Sequence, residues 1–190
     1  MPGQIGLRVT GKTLGLVGSG RIALAVACRA AGFGMSLLYT ARHRNENFEA
    51  RTGARYVSKQ ELLQQADFVS LHMPLTPETD KYIGSAELAL MQPHAVLINT
   101  ARGKVVDEQA LVQALQTGVI AGAGLDVFEN EPQVHPALCA LPNVLMAPHK
   151  GAATMDGFCN MGRSSAEKIF AALDGKLPAN CLNPEARQVL

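Results

Sequence analysis

What this sequence lacks narrows its function first. Neither sign of charge is in excess: 17 lysines and arginines stand against 16 aspartates and glutamates, a net charge of +1. That balance leaves no broad electrostatic footprint for nucleic acid or an anionic membrane, and a small-molecule partner is the expectation. Long apolar runs are missing as well. Nothing approaches the roughly 20 apolar residues that span a bilayer, and the first residues hold no signal-peptide core, so a soluble, cytoplasmic protein is expected. The four cysteines, Cys28, Cys139, Cys159 and Cys181, form no C-x-x-C pair and no cluster with histidine. They read as reduced thiols, and no metal site is expected. There is no low-complexity tract and no repeat with a period of about 20–50 residues.

What is present is a chain of 190 residues with 47% hydrophobic content, long enough to bury about 70% of its unfolded surface around one core. One domain is expected over 1–190, with a lead-in at 1–11 and a polar tail at 174–190. The most informative stretch is Leu14 to Ala27. A short apolar strand at 13–17 meets Gly18 and Gly20, and Ala23 opens an apolar helical segment. Gly18 permits a sharp turn, Gly20 removes a side chain where a pyrophosphate must approach the backbone, and the small Ala23 lets helix and strand pack closely. The helix N-terminus that follows offers unpaired N–H groups and the positive end of a dipole to phosphates. This strand–turn–helix context predicts dinucleotide binding.

A second apolar run, 35–39, ends in Thr40-Ala41-Arg42-His43-Arg44. An NAD-binding domain usually places Asp or Glu about 20 residues past the glycines, on the ribose 2′-hydroxyl. Here the position holds Thr40, and Arg42 and Arg44 offer charge-assisted bonds to a 2′-phosphate. NADP is therefore the preferred cofactor, with NAD as the alternative. The same residues also fit an ordinary basic loop.

Downstream, apolar strands at 67–71, 95–98, 120–125 and 144–147 alternate with helical segments at 61–66, 85–91, 105–117 and 152–173. Gly118 is the expected C-cap of the third of these helices. The alternation predicts an α/β fold, a doubly wound parallel sheet in three layers. Ligands of such sheets bind outside the carboxyl ends of the strands, where Arg102, Asp126, Glu131 and His149 each follow a strand. Taken singly they fit a solvated loop charge, a turn residue, a surface acid and a helix-terminal residue. Together they make a site: a planar cationic fork for a carboxylate or carbonyl, a proton exchanger active near neutral pH, and a carboxylate to orient it. Hydride transfer to a 2-keto acid needs those parts. His72, at another strand end, reads in isolation as structural.

The chain resembles the cofactor-binding domain of the D-isomer-specific 2-hydroxyacid dehydrogenases. The resemblance rests on Gly18-Ser19-Gly20-Arg21-Ile22-Ala23, Leu71-His72-Met73-Pro74-Leu75-Thr76, Asn99-Thr100-Ala101-Arg102-Gly103, Gly122-Ala123-Gly124-Leu125-Asp126-Val127-Phe128, Glu131-Pro132 and Pro148-His149, in that order. It implies a Rossmann-type NAD(P)-binding domain in which Arg102 binds the substrate carboxylate and carbonyl. Glu131 would support the catalytic histidine, and His149 would be the general acid and base. It places Gly18, Ser19, Gly20, Arg21 and Ile22 at the pyrophosphate. Thr100, Ala101 and Asp126 would lie near the nicotinamide half, with His72, Pro74, Thr79 and Gly151 also against the cofactor.

The segment from Tyr39 to Arg42 is similar to NADPH-using glyoxylate and hydroxypyruvate reductases. A homodimer and a small 2-keto or 2-hydroxy acid substrate are implied in turn. Two features depart from the family. Lys150 follows His149 where an apolar or small residue is usual, and a cation there opposes a charged imidazole. The substrate lobe that opens the family's chains is also missing. A cofactor-binding module without turnover, or a nucleotide-sensing protein similar to the C-terminal-binding-protein corepressors, are the rival expectations.

Overall fold

The computed structural model describes residues 6–178 and 181–184; the expected lead-in and tail fall partly outside them. The chain divides into two compact units, one through His149 and one from Lys150. The first carries seven strands: β1 (Thr13–Val17), β2 (Ser36–Thr40), β3 (Arg55–Tyr56), β4 (Phe68–Leu71), β5 (Val96–Asn99), β6 (Gly122–Leu125) and β7 (Val144–Met146). Six helices lie between them: α1 (Arg21–Ala30), α2 (Glu46–Thr52), α3 (Lys59–Gln65), α4 (Ser85–Leu90), α5 (Glu108–Gln116) and α6 (Pro136–Ala140).

The strands form one parallel sheet in the order β3-β2-β1-β4-β5-β6-β7. Parallel neighbours need crossover connections, and right-handed crossovers leaving β1 in opposite directions put helices on both faces. The pleat sorts the core accordingly. Leu14, Leu16, Leu37 and Tyr39 pack with Ala23, Ala27 and Phe48 of α1 and α2. Val17 and Leu38, one residue out of phase, join Leu62, Leu88, Leu111 and Leu138 of α3 to α6. Gly15 belongs to that second face, where a Cβ would lie 2.6 Å from Leu62 Cδ2. The sheet order reverses direction at β1, between β2 and β4, which is where the Gly18 turn emerges.

Three elements went unforeseen. α2, β3 and α6 are short, and only Phe48 of α2 and Leu138 of α6 are buried. Boundaries also moved. α1 begins at Arg21, since Gly20 already caps it. α5 begins at Glu108: residues 103–105 form a tight 3-10 turn, and Asp107 caps the helix by accepting from Ala110 N. Gly118 ends α5 as expected, with φ +72 and the Val119 N–H reaching Ala114 O at 2.8 Å. In the second unit, α7 (Met155–Leu173) is capped by Thr154 and leaves Phe158, Met161, Ile169 and Phe170 exposed. Among the described residues, no helix is long and apolar enough to cross a membrane.

His72 follows β4 and is largely enclosed, with Nε2 2.9 Å from Ser70 Oγ. Burial lowers its pKa from the ordinary 6.5 to about 4, because the charged imidazole is the form that loses hydration. The unfolded chain therefore binds this proton first as pH falls. Stability is lost between about pH 6.5 and 4, by up to about 3 kcal/mol, and no further below that window. Urea unfolding at pH 7.5 and 4.5 should show His72→Gln losing about 2 kcal/mol less than the parent chain. Equal losses in the two proteins would contradict this account.

Candidate active site

The glycine turn is set by backbone. Gly18 N donates to Thr40 O at 2.8 Å and His72 N donates to Val17 O at 2.8 Å, so the turn sits between the ends of β2 and β4. Gly18 has φ +112, and a Cβ there would stand 2.7 Å from His72 O. Any larger residue would meet both left-handed strain and a rigid carbonyl. Above Gly20 the space is open. Asn45, Ser58, Asp107, His135 and Thr154 each cap their helices with a side chain, whereas α1 has no side-chain cap. An uncapped helix start behind a bare glycine backbone fits the pyrophosphate of a dinucleotide. Ser19 flanks it, and Arg21 and Ile22 are exposed on the first turn.

At the next strand end, Thr40 is buried while Arg42 and Arg44 are exposed. Arg44 is engaged within the protein: Nε donates to Glu49 Oε1 at 2.9 Å and Nη2 to Glu49 Oε2 at 2.8 Å. The buried Tyr39 hydroxyl donates to the same Glu49 at 2.7 Å. Held this way, the Glu49 carboxyl has its pKa lowered to about 2, chiefly by the Arg44 hydrogen bonds. Asn45 connects the parts. Its Oδ1 caps α2 at Phe48 N, its N–H donates to Tyr39 Oη at 2.8 Å, and its Nδ2 reaches Ser19 at 3.3 Å. Ser19, Arg42, Arg44 and Asn45 border a hollow of about 560 Å³.

The reactive edge lies past β5, β6 and β7. Asn99, buried at the end of β5, belongs to the Asn99–Gly103 motif but is not among the expected site residues. Its Oδ1 accepts from Ala101 N at 3.0 Å and its Nδ2 donates to Arg102 O at 2.9 Å, clamping the loop that presents Arg102. A polar residue ending the apolar run Val96-Leu97-Ile98 is the signal the sequence offers. Gly103 then lies so close to the loop after β6 that a Cβ would fall 1.9 Å from Phe128 C and O. Glu108, buried in the first turn of α5, accepts from Glu129 N in the same loop, and burial raises its pKa.

That loop carries Glu131. Its Oε1 accepts from Phe128 N at 2.9 Å, and its Oε2 lies 2.8 Å from His149 Nδ1. The His149 bond, then the Phe128 N–H, hold the Glu131 carboxyl below the usual carboxylate range, with a smaller contribution from the charge of Arg102. With Nδ1 facing Glu131, Nε2 is the nitrogen left for a ligand. His149 has φ +53, a left-handed backbone that costs a non-glycine residue about 1–2 kcal/mol. Arg102, Glu131 and His149 border one hollow of about 480 Å³.

The remaining expected residues are more dispersed. Thr100 is exposed; Asp126 is buried, with its N–H on Asn99 O at 3.0 Å. The imidazole of His72 turns its Nε2 to Ser70 Oγ. Thr79 spends its hydroxyl on Pro74 O at 2.7 Å, closing the loop after β4. Gly151 is exposed in the second unit. Among the described residues no group of three or more His, Cys, Asp or Glu side chains is placed to hold a metal.

The model of the D-isomer specific 2-hydroxyacid dehydrogenase NAD binding domain matches residues 2–151. A glyoxylate reductase of Thermococcus litoralis is 50% identical over 181 residues, covering 95% of this chain and 55% of the relative. A glyoxylate/hydroxypyruvate reductase B of Klebsiella pneumoniae is 48% identical, covering 98% and 58%. Among solved structures, a glyoxylate reductase from Paecilomyes thermophila superposes with TM-score 0.87 at 42% identity, over 93% of this chain and 54% of that one. An NAD-complexed D-isomer specific 2-hydroxyacid dehydrogenase from Lactobacillus delbrueckii ssp. bulgaricus superposes with TM-score 0.87 at 34% identity, over 94% and 58%. The chain thus spans little more than half the length of these proteins.

The contact at Gly103 sets an expectation for stability. Gly103→Ala drives a methyl into backbone atoms that cannot rotate away, and should cost about 3 kcal/mol or more. Gly124→Ala, in β6 with nothing within 4 Å of its Cβ position, should lie within about 0.5 kcal/mol of the parent chain. Urea unfolding of the two variants checks the contrast; similar stabilities would rule out the close approach.

Proposed function

Because the chain belongs to the D-isomer specific 2-hydroxyacid dehydrogenases, as their NAD-binding domain, we propose that it is the cofactor half of an NADP(H)-preferring reductase of small 2-keto acids such as glyoxylate or hydroxypyruvate. The observation that carries this reading is the 2.8 Å pair of His149 and Glu131, on the same hollow as Arg102 and the same sheet edge as the Gly18 turn.

The bound nicotinamide cofactor supplies or accepts the hydride. The protein's own residues do the rest. The guanidinium of Arg102 binds the substrate carboxylate and draws electron density from the adjacent carbonyl. Nε2 of His149 gives a proton to the carbonyl oxygen during reduction and takes it back during oxidation. Glu131 fixes the imidazole through Nδ1 and offsets the charge it carries when protonated, and the Phe128 N–H in turn fixes Glu131. Asn99 is a positioning residue for Arg102. The strained backbone of His149 keeps the ring over the hollow rather than along the strand.

Preference for NADP(H) is supported by Thr40, which brings no acid to the ribose, and by Arg42, which makes no ion pair among the described residues. Losing one charge-assisted contact costs about 1.5–3 kcal/mol. Arg42→Ala should therefore weaken NADPH binding at least tenfold in a fluorescence titration while leaving NADH binding unchanged. Equal losses, or tighter NADH binding in the parent chain, would reject NADP(H) as the preferred cofactor.

Turnover is a separate matter. The His149 side chain is 54% exposed and Arg102 faces water, where an ion pair is worth only about 0–1 kcal/mol. A near-attack geometry needs a second wall that excludes solvent. We assign that wall to the remaining length of the relatives. The 190-residue chain by itself should then bind NADPH but reduce glyoxylate far more slowly than the roughly 1–1000 per second typical of enzymes. Turnover within that range would show the second wall to be unnecessary.

A further inference from the structure

Resting on the NADP(H) reading above, we propose that Glu49 is a specificity-determining residue that restrains cofactor discrimination by pairing with the Nε–Nη2 edge of Arg44 and cancelling its charge. The two arginines of the basic loop are equals in sequence and unequal in structure. Arg42 has no ion-pair partner among the described residues, while Arg44 places both Nε and Nη2 on the Glu49 carboxylate. That edge is one of the two by which a guanidinium grips a phosphate with paired N–H bonds. A 2′-phosphate reaching Arg44 finds only the Nη1–Nη2 end, beside the Glu49 carboxylate, or must displace Glu49.

Displacement is resisted from below. Tyr39, 0% exposed, donates its hydroxyl to Glu49 Oε1 at 2.7 Å and accepts from Asn45 N at 2.8 Å. Its ring is packed between Phe48 and Tyr56, with centroids 4.9 and 5.2 Å away. Glu49 thus stands on a buried hydroxyl that the β2 strand and the α2 cap hold in place. The loop also ends at Asn45, whose amide reaches Ser19 in the glycine turn, so it moves only with that turn.

Two effects of Glu49 oppose each other. It orders Arg44, which favours a ligand, and it cancels the charge that Arg44 would otherwise offer a 2′-phosphate. A phosphate monoester carries about −1.5 to −2 charge near neutral pH. The ordering gain applies to a side chain that is still 62% exposed. Cancelling the charge of Arg44 removes an attraction that a near-dianion would feel nearly twice over, so the restraint wins. Arg42 then carries the 2′-phosphate contact, and Arg44 stands in reserve.

The test is a double-mutant cycle on the 190-residue chain, read by fluorescence titration with NADPH and NADH. Glu49→Gln keeps an acceptor for Tyr39 but no longer binds both nitrogens of Arg44. NADPH affinity should rise about tenfold, with NADH within twofold of the parent. Arg44→Ala in the Glu49→Gln background should remove that gain, a loss of about tenfold in NADPH affinity. A fall or no change in NADPH affinity in Glu49→Gln overturns the proposal, as does an equal gain for NADH, which lacks the 2′-phosphate. If Glu49→Gln does not fold, Glu49→Ala is read in its place: a rise in NADPH affinity alone upholds the proposal, and no rise, or an equal rise for NADH, overturns it. A parent chain without NADPH preference overturns the cofactor reading and this inference together. A preference that Arg42→Ala abolishes and Glu49→Gln leaves unaltered overturns this inference alone.

Discussion

The reactive edge of this protein depends on a contact between two stretches of backbone. Gly103 lies against Phe128 and Glu129 with no room for a Cβ, and that approach joins the loop after β5 to the loop after β6. Arg102 is on one side of the join and Glu131 on the other. Buried polar groups secure both loops: Asn99 clamps the first, and the Glu108 carboxylate, drawn out of water, accepts a backbone N–H from the second. Burying these groups is tolerable because each finds partners. The loops that carry Arg102 and Glu131 are thus anchored by the buried side chains of Asn99 and Glu108.

A similar economy governs the cofactor end. The Gly18 turn is seated by hydrogen bonds from the neighbouring strands, and its shape is fixed before anything binds. The α1 N-terminus, alone among the longer helices in having no side-chain cap or acidic residue in its first turn, keeps its N–H groups and dipole available to an anion. The ribose end is different in kind. There Tyr39, Asn45 and Glu49 build a polar scaffold whose most exposed member, Arg44, is committed to an internal partner. On the proposed reading, pyrophosphate recognition rests on backbone, and discrimination at the 2′ position on exposed side-chain charges.

The backbone of His149 joins these themes. A left-handed conformation at a residue with a Cβ persists only where surrounding contacts over-determine it. Here the neighbouring contacts are the Glu131 carboxylate at Nδ1 and the bond from His149 N to Ala147 O at 3.0 Å. Glu131 is itself held by the Phe128 N–H, so the ring's orientation traces back to the join at Gly103.

Sequence by itself determined the alternation of strands and helices, the parallel sheet, the glycine turn and the strand-end positions of Arg102, Glu131 and His149. Those follow from periodicity, from glycine's freedom at positive φ and from the rule that parallel strands deliver their carboxyl ends to one edge, all of them local or topological. Short polar elements such as α2 and α6 escaped, because one buried residue apiece leaves no period to read, although Asn45 and Gly53 bracket α2 with a cap and a left-handed stop. Only the tertiary structure decided that Arg42 and Arg44 differ, since Glu49 and Tyr39 converge on one of them through space. Only it decided, too, that Asn99, Gly103 and Glu108 hold the site together. Their partners lie on other loops, and no pattern along the chain encodes a contact between backbones brought together by the sheet.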